Sequence, residues 1–217
     1  MKKLVIFDLD GTLLDTIEDL GNATNHALRT IGFPERARDE YFHLVGRGIT
    51  NLFKGAVPAG HDDPETIGRM RELFLAHYGV HLCDLTHPYP GIPELLEHIT
   101  ARGVRIAVAS NKYQEGAETV IGHFFGKHSF VAILGQKEGL PLKPDPAIVD
   151  LCLQAARVDK GDVLYVGDTN VDMQTGLGAG VDTVGVTWGF RSREELEAYR
   201  PLAVVDTPAE LERLVLL

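Results

Sequence analysis

A series of short, continuous apolar runs separated by stretches of helical periodicity restricts this chain more than any other feature. The runs are Leu4 to Phe7, Val104 to Ala109, Val131 to Leu134, Val163 to Val166 and Thr183 to Thr187, with a weaker sixth at Ala203 to Val205. A strand buried on both faces needs apolar side chains at successive positions. Such strands alternating with helices predict a parallel sheet with helices on both faces. The expected fold class is α/β, a Rossmann-like parallel sheet.

From Val104 onward each gap between runs fits a single crossover helix, but Phe7 to Val104 is nearly half of the 217 residues. Something else is inserted there. Ile17, Leu20, Ala23, Ala27, Leu28 and Ile31 recur at helical spacing, and Asp63-Pro64-Glu65 opens a further helix through Met70, Leu73 and Phe74. The return is marked by the turn-rich Pro88-Tyr89-Pro90-Gly91, after which a helix runs from Ile92-Pro93-Glu94 to near Gly103. The expected division is a core of residues 1–15 and 82–217 carrying an inserted all-helical cap of residues 16–81. Within the cap, His77 and His81 have the spacing of a helical metal pair, but Gly79 between them predicts that the helix ends there and that no metal is held.

The formal net charge of −10, with no cluster of Lys and Arg, argues against nucleic acid as a partner. A small anionic substrate remains compatible if a metal ion and a few cations make a local positive site. Cys83 and Cys152 stand far apart and outside any metal-ligand spacing, so neither a disulfide framework nor a zinc site is expected. Asp8 follows the N-terminal apolar run too soon for a signal peptide, and no run approaches the ~20 apolar residues of a membrane helix. The expectation is a cytoplasmic protein without membrane contact, and the sequence sets no oligomeric state.

Ligands of parallel α/β sheets gather beyond the carboxyl ends of the strands, so the polar residues that end each apolar run come first. The first run ends in Asp8-Leu9-Asp10-Gly11-Thr12, the second in Ser110-Asn111-Lys112 and the fourth in Gly167-Asp168-Thr169-Asn170-Val171-Asp172; Leu142-Lys143-Pro144-Asp145-Pro146 follows the third. Phosphoryl transfer asks for an in-line nucleophile, a proton donor for the leaving oxygen and positive charge on the transferring group. Mg²⁺ takes carboxylate and carbonyl oxygens, which suits Asp8, Asp168 and the backbone carbonyl of Asp10. Asp15, Asp145 and Asp162 read as turn or capping residues, Lys112 as an exposed lysine, and His123 and His128 as surface loop residues. Trp188-Gly189-Phe190-Arg191 reads as packing without a role.

On these four motifs, in this order, the chain resembles the haloacid dehalogenase superfamily, in its phosphoglycolate-phosphatase-like branch, over essentially its whole length. The resemblance implies Asp8 as nucleophile, Asp10 as general acid and base, Ser110 on the phosphate, Lys143 neutralising the phosphoenzyme, and Asp168 and Asp172 serving Mg²⁺ together with Asp8 and Asp10. It places Thr12, Arg47 and Asn111 in contact with substrate; Val45-Gly46-Arg47-Gly48 is similar to the cap loop that reaches down to it. Related dehalogenases lack an acid at the position of Asp10, which points to phosphate esters. The expected activity is therefore Mg²⁺-dependent hydrolysis of a small phosphorylated metabolite through an aspartyl-phosphate, phosphoglycolate foremost. A phosphosugar mutase of the β-phosphoglucomutase type shares the same groups and is the alternative. A non-enzymatic phospho-acceptor resembling response-regulator receivers is a third reading, opposed by the cap and by the Asp8-x-Asp10 pair.

Overall fold

Alternation along the first apolar run sorts its side chains into two layers. In the computed structural model, which describes residues 1–217, Leu4–Phe7 forms strand β1 and is buried throughout. Val5 and Phe7 enter one apolar layer, Leu4 and Ile6 the other, as the two-residue period of a strand demands. After β1 come β2 (Leu14–Asp15), then four helices, α1 (Ile17–Thr30), α2 (Arg38–Leu44), α3 (Ile49–Ala56) and α4 (Pro64–His81), then β3 (His87–Pro88). The chain returns through α5 (Ile92–Ala101), β4 (Arg105–Tyr113), α6 (Gln114–Phe125), β5 (Phe130–Gln136) and α7 (Ala147–Ala156). It ends with β6 (Val163–Gly167), α8 (Asn170–Ala179), β7 (Asp182–Val186), α9 (Arg193–Glu197), β8 (Ala203–Val205) and α10 (Pro208–Leu216).

Six strands pair in parallel in the order β5-β4-β1-β6-β7-β8. Helices α5, α6 and α10 contribute to the layer of Val5 and Phe7, while α7 and the end of α8 pack on the opposite face. The direction of winding reverses beside β1, and that reversal opens a crevice at the carboxyl ends of the central strands. Strand β4 runs further than its apolar pattern predicts. It carries Ser110, Asn111 and Lys112 within the strand and pairs Tyr113 with Gln136 after a break in register.

The four inserted helices are held by an apolar interior continuous with one face of the sheet. Asp63 accepts from the N–H groups of Glu65 and Thr66, and Pro64 supplies a preset first-turn angle, so α4 starts where the sequence predicts. Its end differs: α4 continues through Gly79 to His81. A helical glycine costs roughly 1 kcal/mol, but full burial of Phe74 and Tyr78 contributes about 1.5–3 kcal/mol per side chain, so packing outweighs propensity. His77 stacks on His26 of α1 with ring centroids 4.2 Å apart. His123 also lies within a helix, α6, rather than in a loop.

Strands β2 and β3 form a two-stranded antiparallel ribbon where the chain leaves and rejoins the main sheet. Asp19, in the first turn of α1 and only 3% exposed, grips the returning segment. It accepts from the N–H of Thr86 at 2.8 Å, the Thr86 hydroxyl at 2.8 Å and the N–H of Leu85 at 3.0 Å. Replacing it strands buried donors at the junction. Asp19→Ala is expected to lower unfolding free energy by about 2–4 kcal/mol in urea titrations, the range for loss of buried charge-assisted hydrogen bonds; a loss under about 0.5 kcal/mol would contradict the assignment.

Candidate active site

Asp8 immediately follows β1 and stays in the ladder, its N–H donating to the carbonyl of Val166 at 2.8 Å. The chain then turns sharply at Gly11, whose φ of +91° suits glycine. A Cβ there would lie 2.3 Å from Asp168 Oδ2, so the β1 loop can approach the end of β6 only without a side chain. This brings the Thr12 hydroxyl to Asp168 Oδ1 at 2.9 Å. Thr12 is fully buried and serves Asp168, rather than lining the cavity where substrate contact was expected.

Asp168 leads into α8, with Thr169 as its N-cap and Asp172 completing a capping box. Both carboxylate oxygens of Asp172 are occupied. Oδ1 accepts from Lys143 Nζ at 2.7 Å and the Tyr165 hydroxyl at 3.0 Å, and Oδ2 from the N–H of Thr169 at 3.1 Å and its hydroxyl at 2.6 Å. Lys143 also lies 2.8 Å from Asp8 Oδ1. Its backbone is fixed by Asn111, whose Oδ1 accepts from the Lys143 N–H at 2.9 Å while Nδ2 donates to the Lys143 carbonyl at 3.1 Å. Asn111 Nδ2 reaches the Gly46 carbonyl of the inserted segment too, at 3.1 Å.

Burial alone would depress Lys143, but Asp172 and Asp8 outweigh it and hold the ammonium well above the ordinary lysine range. Burial, reinforced by Asp172, pushes Asp8 up to about 7. Burial, then Asp172 and Asp8, pushes Asp168 well above the usual carboxylate range, against donation from Phe190 and Thr12. Negative charge is in excess. Four carboxylates, Asp8, Asp10, Asp168 and Asp172, face two ammonium groups, Lys112 and Lys143, leaving two charges that a divalent cation would balance. Carboxylate oxygens of Asp8, Asp168 and Asp172 lie within 4.8 Å of one another, a hard-oxygen set suited to Mg²⁺. Because Asp172 is saturated by its four donors, Asp8 and Asp168 are the side chains best placed to hold such an ion.

A second, largely buried ion pair lines the crevice. Lys112 Nζ lies 3.0 Å from Asp10 Oδ1 and 2.6 Å from the Tyr78 hydroxyl of α4. Its side chain is 2% exposed, contrary to the reading of Lys112 as an exposed lysine. The continuation of β4 is the physical reason, since it carries Lys112 inward to meet Asp10 and Tyr78. Asp8, Asp10, Ser110, Asn111 and Lys112 line a cavity of about 30 Å³, room for the centres of about two waters, together with Val45, Ile49, Leu52 and Tyr78. Gly46 and Gly48 also line it, whereas Arg47 between them is exposed and makes no contact there.

The segment after β7, without a role in the sequence reading, frames Asp168. The Phe190 N–H donates to Asp168 Oδ2 at 2.8 Å, Trp188 Nε1 donates to the Thr12 carbonyl at 3.0 Å, and a Cβ on Gly189 would fall 2.3 Å from that of Asp168. Arg191, 7% exposed, donates to the carbonyls of Phe42 and Val45. The one available signal was position, since these residues follow a core strand at its carboxyl end.

The chain is similar to known proteins over most of its length. A family profile described as haloacid dehalogenase-like hydrolase matches residues 5–186. The chain is 32% identical over 210 residues to a phosphoglycolate phosphatase of Pseudomonas putida, covering 95% of this chain and 77% of that protein. It is 32% identical over 222 residues to a phosphoglycolate phosphatase of Agrobacterium fabrum, covering 99% and 95%. A solved structure described as a predicted phosphoglycolate phosphatase from Haemophilus somnus superposes with a TM-score of 0.91 at 27% identity, over 98% of this chain and 97% of that one.

The charge excess sets a pH-dependent response to metal. The Asp8 carboxyl, pushed up to about 7, binds its proton more tightly in the folded protein than in the unfolded chain, where such groups titrate near ~3.9. Its contribution to stability in chelator therefore falls as pH rises from about 4 to 7. A cation competing with that proton stabilises most above pH 7. Mg²⁺ at a hundred times its dissociation constant is expected to add about 2.7 kcal/mol, or roughly 5–10 °C in thermal midpoint, at pH 7.5. The shift should shrink markedly at pH 5 and vanish in Asp168→Asn. Equal shifts at both pH values in scanning calorimetry would contradict the site.

Proposed function

We propose that this chain, which belongs to the haloacid dehalogenase-like hydrolase family, hydrolyses a small phosphomonoester, phosphoglycolate foremost, through an aspartyl-phosphate on Asp8. The observation that carries the reading is the placement of Asp8 beside Lys143 at a cavity that Asp8 lines together with a second acid, Asp10. In the first half-reaction an Asp8 oxygen attacks phosphorus in line, the bond to the ester oxygen breaks, and Asp10 gives its proton to the leaving alkoxide. In the second, Asp10 takes a proton from water as the water oxygen bonds to phosphorus and the Asp8 bond breaks, releasing phosphate.

Lys143, locked by Asp172, Asp8 and the Asn111 amide, places a fixed ammonium against the transferring phosphoryl group. The Ser110 hydroxyl, 2% exposed at the end of the apolar part of β4, is the neutral donor to that group. Mg²⁺, held by Asp8, Asp168 and the Asp10 backbone carbonyl, would supply the positive charge that lets an anionic carboxylate approach an anionic phosphate. Asp172 supports it by fixing Lys143. Residues 16–81 act as a cap domain over a core of residues 1–15 and 82–217, opening for substrate and closing to exclude water. The apolar side chains of Leu20, Val45, Ile49 and Leu52 in the cavity wall favour a small leaving group over a polyol. Phosphoglycolate phosphatases among the relatives support the same substrate.

Asp8→Asn keeps the shape of the side chain and removes the nucleophile, so phosphate release should fall at least about a hundredfold while circular dichroism stays unchanged. Retained turnover in a clean preparation would exclude Asp8 as nucleophile. Asp10→Asn should slow alkyl phosphates far more than p-nitrophenyl phosphate in single-turnover measurements, because an aryloxide leaves without a proton. Equal slowing of the two would remove Asp10 from the acid role.

A further inference from the structure

The cavity has a polar end and an apolar end. Asp8, Asp10 and Ser110 make the polar floor where the phosphate belongs, while Leu20, Val45, Ile49 and Leu52 offer no hydrogen bond to a polyol. Lys112 is the one cationic side chain that lines it. Ser110 and Lys112 both line the cavity, two residues apart in β4 where the register breaks and the Lys112 N–H donates to the Ser110 hydroxyl at 3.2 Å. Phosphate-binding hydroxyl and ammonium are thus arranged in sequence along one strand.

Two of the three N–H donors of the Lys112 ammonium are engaged, by Asp10 at 3.0 Å and by Tyr78 at 2.6 Å. The remaining one has no protein acceptor. Because Asp10 is the group beside the leaving oxygen in the proposed reaction, an ammonium one hydrogen bond from Asp10 falls next to the carbon that bears that oxygen. An acceptor carried on this carbon meets the free donor, and a carboxylate makes the stronger, charge-assisted bond. The exposed Arg47 makes no such approach.

We propose that Lys112 is the specificity-determining residue of this site, binding the carboxylate of a 2-phospho-hydroxy acid as Tyr78 of the cap closes on the same ammonium. The inference rests on the phosphatase reading above and deepens it: the substrate class is phosphate esters whose leaving alcohol carries an anion on the adjoining carbon, and Lys112 is the side chain that selects it.

The test compares phosphoglycolate with ethyl phosphate, which has a methyl group where the carboxylate stands, on wild-type and Lys112→Met enzymes with Mg²⁺ present. Wild type should prefer phosphoglycolate, and Lys112→Met should reduce the ratio of the two kcat/KM values about ten- to a hundredfold, the loss of one charge-assisted contact. The ratio of inhibition constants for 3-phosphonopropionate and propylphosphonate should collapse in parallel, a readout independent of chemistry. If Lys112→Met proves too unstable by thermal melting, Lys112→Gln, of similar length and without charge, carries the same expectation. A parallel loss on both esters with an unchanged inhibitor ratio would show that Lys112 only positions Asp10 and would overturn the inference while leaving the phosphatase reading intact. Failure of the wild type to release phosphate from either ester would overturn both.

Discussion

The buried ammonium of Lys143, fixed between Asp8 and Asp172, is the interaction on which the rest of the site depends. It joins three chain segments, the end of β1, the loop after β5 and the first turn of α8. Taking such charges out of water costs several kcal/mol per ion, and that cost is offset only where the remaining hydrogen-bonding capacity is also filled. Here it is filled, by the Tyr165 hydroxyl, the Thr169 capping box and the Asn111 amide on the Lys143 backbone. Each supporting group in turn fixes an element, so the charge network and the strand ends determine each other's positions.

The same logic explains how the inserted helices take part. They meet the core through an apolar interior, and away from the connecting segments held by Asp19 and by His81 with Asp84 the polar contacts across the junction include Asn111 with the Gly46 carbonyl, Lys112 with Tyr78, and Arg191 with carbonyls at the end of α2. Asp19 keeps the connecting segments in place. Tyr78 lines the cavity and sets its hydroxyl against the ammonium beside Asp10. One inserted helix, α4, thus touches both the cavity wall and the Lys112–Asp10 pair.

Acidic residues at strand ends would by themselves repel both a phosphate and one another. The fold answers this locally, with Gly11 and Gly189 admitting backbone against Asp168 and with N–H and hydroxyl donors from Phe190 and Thr12 aimed at its oxygens. What remains is a charge excess of the size and oxygen chemistry that suits a single hard dication. A globally acidic chain can in this way present a phosphate-attracting site without a basic surface.

The sequence by itself determined the sheet, because five apolar runs of strand length leave few alternatives, and it determined Asp8, Asp10, Ser110, Lys143 and Asp168 as the groups to examine, because each stands at or soon after the end of such a run. Local pattern also located the inserted helices and the start of α4 at Asp63. It was silent or misleading wherever a role depends on a distant partner. Lys112 read as exposed because the polar Ser110-Asn111-Lys112 hides the continuation of β4, and its burial is decided by Tyr78 and Asp10 meeting it from two other segments. Thr12 turned to Asp168, Arg47 stayed in solvent while its flanking glycines entered the cavity wall, and Gly79 stayed helical because Tyr78 beside it is buried. Periodicity encodes which face of an element is apolar, a property of neighbours along the chain; which charges meet across that face is settled only when segments far apart in sequence are packed against one another.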